Sequence, residues 1–151
     1  MAIAIFDGAI LREWRMKSLQ SDDKKKKLLK VRNILTGFID RYHPTALAIK
    51  KLHASRSSAG LDTIAIEIRK YCQSQGMKLY SYSIAELEKA LPCSTRINKK
   101  KLAESLADLY PELVQELKRE KSNRNAYFVR LFEAVALGHV CLKEMIKKHN
   151  F

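Results

Sequence analysis

The sequence has little of several things, and each scarcity excludes a class. Three cysteines, Cys72, Cys93 and Cys141, form no Cys-x-x-Cys pair, which argues against a disulfide framework or a zinc site and favours a reducing compartment. Five glycines and three prolines in 151 residues are too few for a fibrous or disordered chain. The longest apolar start, Ala2 to Phe6, is too short for a signal peptide or membrane span and has no basic region before it. The expectation is a cytoplasmic protein with no membrane partner. Acidic residues are the other shortage: 16 Asp and Glu face 29 Lys and Arg, for a net charge of +13. A pI near 9.8 makes a polyanion, above all nucleic acid, the expected partner. The length suits one domain, residues 1–151, with a core of its own.

The elements follow from pattern. Ala2-Ile3-Ala4-Ile5-Phe6 reads as a strand, Asp7-Gly8 as a hairpin turn, and Ala9 to Met16 as a second strand. Alternation places Ile10, Trp14 and Met16 on its inner face, with Glu13, Arg15 and Lys17 outside. Ser21-Asp22-Asp23 opens a helix with apolar positions Leu28, Val31, Leu35, Phe38, Ile39 and Tyr42, ending before Pro44. Thr45 to Ile49 is a third strand, and residues 50–60 are a polar loop. A second helix follows on Leu61, Ile64, Ala65, Ile68 and Cys72, with Gly76 at its end. Residues 77–82 make a fourth strand, and Ser83 with Glu86 forms a capping box for a helix stopped by Pro92. Asn98 caps a helix through Leu102, Ala103, Leu106 and Leu109, halted at Pro111, and residues 112–118 add a turn or two. Phe128, Phe132, Val135, His139, Leu142 and Ile146 line a long last helix. This order implies an α/β arrangement with a mixed sheet, an antiparallel hairpin plus parallel strands, covered by helices.

This order, with Leu47-Ala48-Ile49-Lys50, Ile97-Asn98-Lys99-Lys100-Lys101 and Arg130-Leu131-Phe132-Glu133-Ala134-Val135-Ala136-Leu137, resembles the RuvC-like Holliday junction resolvases of the ribonuclease H-like fold. The resemblance runs over nearly the whole chain. It implies that the hairpin is that fold's second and third strands, so the usual first strand is missing. It also implies a two-Mg²⁺ nuclease, with carboxylates on the first strand, the fourth strand and the last helix. The sequence departs from that pattern. Lys50 stands where the fourth strand should end in Glu, and Arg130 where the last helix should carry another acid, which leaves Glu133 as a remnant. Asp7 is the primary metal ligand only in an alternative register that takes the first apolar run as the first strand; counting strands puts it in the hairpin turn.

The expected reading is therefore a RuvC-like protein that binds nucleic acid, DNA more than RNA, with no cofactor and no two-metal cleavage. The backbone contacts fall to Lys50, Lys51, Arg56, Lys99, Lys100, Lys101, Arg124 and Arg130. Lysines at a helix start can converge with backbone amides on phosphate, but a solvated helix end explains Lys24 to Lys27 as well. His139 reads as a core histidine before it reads as a ligand. Two alternatives stay open: a Mg²⁺-dependent endonuclease, a hydrolase whose first strand lies upstream, and a non-catalytic assembly subunit, as a homodimer or with a partner chain completing its sheet.

Overall fold

A computed structural model describes residues 1–51, 59–91, 99–122 and 127–149. In order the elements are β1 (Ala2–Asp7), β2 (Ile10–Met16), α1 (Lys24–Tyr42), β3 (Ala46–Lys50), α2 (Ala59–Ser74), β4 (Lys78–Tyr82), α3 (Ile84–Ala90), α4 (Lys99–Leu109), a 3₁₀ turn (Pro111–Leu113), α5 (Val114–Ser122) and α6 (Tyr127–His149). They form two compact units, Met1–Lys17 with Tyr82–Phe151, and Ser18–Ser81.

In the first unit, β1 and β2 pair antiparallel, with Ala4 opposite Trp14 and Ala2 opposite Met16. Met1 and Lys17 extend the ladder, exchanging both backbone bonds at 2.7 Å. Only Gly8 takes positive φ in the turn, 57°, at the first central position where type II′ turns place glycine. Asp7, expected to share that conformation, does not. The register shifts between Ile5 and Phe6: Ile5 faces Glu13 while Phe6 faces Leu11, so Arg12 is bulged out. The bulge corrects the expected face of β2. Beyond it the alternation changes phase, so Leu11 is 5% exposed and Ile10 is 55% exposed.

The core of this unit is α6 against α3, α4, α5 and the hairpin. Leu131, Phe132, Val135, Ala136, Val140 and Cys141 are buried on α6. Leu102, Ala103 and Leu106 are buried on α4 as expected, but Leu109 is exposed, and Tyr110 beyond the helix end is buried. Ile146 also lies outside the core. Ser83 and Glu86 form the reciprocal capping box of α3. The Asn98 cap falls outside the described residues.

The second unit is α1, β3, α2 and most of β4. Asp23 caps α1 by accepting from the Lys25 amide at 2.9 Å. The first turn of α1 is all lysine, with no acid to complement the macrodipole. Helix α1 packs on α2 around Val31, Leu35 and Cys72, and two bonds fix their register: Arg32 to Glu67 at 2.7 Å and Thr36 Oγ1 to Tyr71 Oη at 2.9 Å. Helix α2 ends in a Schellman motif, with Met77 donating to Cys72 at 3.0 Å, Gly76 donating to Gln73 at 3.2 Å, and Gly76 at φ 67°. Strand β4 lies parallel beside β3 after the α2 crossover.

The expected antiparallel hairpin and parallel strands both form. Among the described residues there are two two-stranded sheets, β1-β2 and β3-β4.

Candidate nucleic-acid interface

Charge is spread unevenly over the two units. Residues 18–81 carry 13 Lys and Arg against 5 Asp and Glu. Lys24, Lys25 and Lys26 are exposed along the start of α1, and Arg69 and Lys70 are exposed near the end of α2. Lys50 is the half-buried last residue of β3 and Lys51 the exposed residue after it. They stand at a strand's carboxyl end, the side where open α/β sheets take ligands. Arg56, in the loop that follows, lies outside the described residues.

In the other unit Lys99 opens α4, followed by exposed Lys100 and half-buried Lys101. Arg130 is exposed on α6 and its charge, after burial, helps hold the Met1 ammonium below its usual pKa. Arg130 therefore lies near the start of β1. Glu133, half-buried, follows one turn later on the same helix. Asp7 is at the opposite end of β1. It is exposed and bonded to Arg12 at 3.2 Å, while its neighbour Phe6 packs at Gly138, more than a turn along α6 from Glu133. The structure thus does not pair Asp7 with Glu133. Arg124 lies outside the described residues. Among the described residues no group of three His, Cys, Asp or Glu is placed to hold a metal ion, and no helix is long and apolar enough to cross a membrane.

Two polar clusters escape sequence reasoning. Tyr110 Oη and His139 Nδ1 lie 2.7 Å apart, and His139 Nε2 is enclosed without a hydrogen-bond partner. Burial, and then Lys143, hold the His139 pKa below its ordinary value. Tyr82 Oη donates to Glu144, which also pairs with Lys148 at 3.1 Å. That bond draws the Glu144 carboxyl down, while burial pushes the Tyr82 phenol up. These partners are 29 and 62 residues apart, so only helix periodicity could have placed one member of each pair, never the contact.

The sequence matches no protein-family model and no curated protein. The structure, by contrast, is similar to solved RuvC structures. A Thermus thermophilus RuvC superposes with a TM-score of 0.64 at 16% identity, over 95% of this chain and 86% of that one. T. thermophilus RuvC in complex with a Holliday junction substrate superposes with a TM-score of 0.60, also at 16% identity, over 89% of this chain and 80% of that one. The class is set by this agreement: the chain has a RuvC-like fold.

Proposed function

We propose that this protein is a single RuvC-like domain that binds nucleic acid, DNA in preference to RNA, through phosphate contacts, and that it does not cleave by the two-metal route. The observation that carries this reading is a RuvC-like fold with cations at the expected acid positions, Lys50 closing β3 and Arg130 beside Glu133. An ammonium or guanidinium offers a divalent cation no ligand and repels it, but donates well to a phosphate oxygen. The residues present do not fit a pair of Mg²⁺ ions, since Lys50 and Arg130 offer no ligand and, among the described residues, no three His, Cys, Asp or Glu side chains converge. The solved neighbour bound to a Holliday junction substrate supports branched DNA as the first ligand to test. The ribonuclease H-like strand order and a cytoplasmic location belong to the same reading.

Binding of a four-way DNA junction, measured by fluorescence anisotropy from 50 to 200 mM salt, tests it. Six or more phosphate contacts weaken binding about a thousandfold over that range through counterion release. Lys50→Gln and Arg130→Gln each reduce the slope of log K against log salt by about 1. Affinity that does not change with salt refutes phosphate binding, and Mg²⁺-dependent nicking of the junction refutes the non-catalytic half.

A further inference from the structure

Within the first unit, rings from three distant parts of the chain meet at one tyrosine. Tyr110, buried between α4 and the 3₁₀ turn, lies edge-on to Phe6 of β1 with centroids 5.6 Å apart, and edge-on to His139 of α6 with centroids 5.7 Å apart. Phe6 in turn lies against Gly138, the residue before His139. Tyr110 also holds its own corner together. Its amide donates to the Leu106 carbonyl at 2.8 Å, and its carbonyl accepts from the Leu113 amide at 2.9 Å. The end of β1, the corner after α4 and the middle of α6 are thus fastened at a single side chain.

That fastening suits only a neutral imidazole. Tyr110 Oη and His139 Nδ1 are 2.7 Å apart, a spacing that serves the neutral ring whether the hydroxyl donates or accepts. His139 Nε2 is enclosed with no hydrogen-bond partner. A proton changes both sides of the ring. The imidazolium carries N–H at each nitrogen, so the phenol oxygen can only accept, and the Nε2 proton points at no acceptor, which in a shielded place is costly. The charges around the junction give no relief. Lys143, one turn along α6, repels a cation at His139, and Glu112 of the 3₁₀ turn acts on the Tyr110 phenol. Ala2 to Phe6 of β1 carry no charge. On α4, Asp108 is exposed beside buried Ala107. Glu116 of α5 has an enclosed oxygen without a partner of its own, so it does not bond Nε2.

From this geometry we infer that His139 is an acid-released clasp: a proton on the imidazole turns the ring out of the junction, and the Tyr110 corner and the end of β1 let go of α6 while the rest of that helix stays packed. The remaining core of α6, with Phe132 and Val135 fully buried, is apolar and has no proton to gain. His139 is half-buried rather than sealed, so rotation about its side-chain bonds brings it to water. The inference concerns a local opening of the fold and stands apart from phosphate binding.

Amide hydrogen exchange of the full chain, followed by NMR from about pH 7.5 down to about pH 5, tests it. Hydroxide catalyses exchange, so an amide of constant protection slows steadily as pH falls. Opening coupled to one proton becomes about tenfold more favourable per pH unit below about 6.5, until the ring titrates in the closed state. At Tyr110 and Leu113 the two effects cancel and the observed rates stay level over that stretch, whereas Phe132 and Val135 slow in the ordinary way. His139→Gln, neutral at every pH, restores ordinary slowing at Tyr110 and Leu113. Lys143→Gln, at an exposed side chain, keeps the ring and removes the repulsion, so the level stretch ends at a higher pH; this variant carries the test if His139→Gln does not fold. Three results overturn the proposal: Tyr110 and Leu113 slowing in step with Val135, every amide of α6 losing protection together with them, or a level stretch that folded His139→Gln retains or Lys143→Gln does not move.

Discussion

Gly138→Ala puts two opposed terms in competition. An alanine in mid-helix is worth about 1 kcal/mol over glycine by propensity, and Gly138 lies well inside α6, so an open site would gain stability. This site is not open. A Cβ there would overlap Cε2 of Phe6 and stand 2.6 Å from Cδ2 and 3.1 Å from Cζ, so the ring must leave its place. Phe6 is also held edge-on by Tyr110, with ring centroids 5.6 Å apart at 70°, an arrangement worth about 0.5–1.5 kcal/mol beyond burial. Overpacking of this kind costs about 1–3 kcal/mol. Adding the lost ring pair to that and subtracting the propensity gain leaves a net loss of about 1–3 kcal/mol. For a domain of this length each kcal/mol lowers Tm by about 2–4 °C. Urea denaturation followed by circular dichroism reads the loss directly. In a Phe6→Leu background the same Gly138→Ala change is neutral or stabilising, because the obstacle is gone. A Gly138→Ala protein more stable than the parent by the propensity increment would refute the close packing of β1 on α6.

Further outcomes follow from the same structure. Ser83→Ala removes the side chain that accepts from the Glu86 amide at 3.2 Å and destabilises by about 1 kcal/mol, readable in the same denaturation assay; no change would mean that α3 adds nothing to the cooperative unit. His139 has a lowered pKa in the folded state, so folding favours its neutral form. Stability is full above the unfolded value of about 6.5 and falls as pH drops through it towards the folded pKa. His139→Asn flattens that slope below about pH 6.5, and an NMR titration of the ring at or above about 6.5 contradicts the burial argument. The Glu144 carboxyl is held down first by its bond from Tyr82 and then by Lys148. Its contribution is therefore present above the unfolded carboxylate value and lost as pH falls through the folded one. Tyr82→Phe costs about 1 kcal/mol at neutral pH and less in acid, and a pH-independent cost would remove the carboxylate from the account.

Local signals were legible because the chemistry that makes them is local. A hairpin turn at Gly8, Ser83 with Glu86 at a helix start, a cap from the Ser21-Asp22-Asp23 run on α1 and Gly76 in the left-handed region after α2 each depend on a few neighbouring residues, and all form, although the turn falls one residue later than the Asp7-Gly8 pair expected. The periodicity of the last helix correctly placed Phe132 and Val135 inside. It also placed Ile146 inside, where the structure leaves it 52% exposed, because a periodic stripe does not say how far along the helix neighbours continue to cover it. Of the candidate site, the sequence supplied the identities of Lys50, Glu133 and Arg130 but not their surroundings.

Tertiary structure decided what depends on residues far apart. The bulge at Arg12 exchanged Leu11 for Ile10, because a single unpaired residue reverses the face of every side chain before it. Gly138 is the space on α6 that lets Phe6 lie against the helix. His139 found Tyr110, and Asp7 found Arg12 rather than Glu133. By itself the sequence determined the net charge, the elements and their order, since these follow from composition, caps and hydrophobic period. The meetings of Tyr110 with His139, Tyr82 with Glu144 and Phe6 with Gly138 waited on packing, where one helix's missing methyl sets which distant atoms can meet.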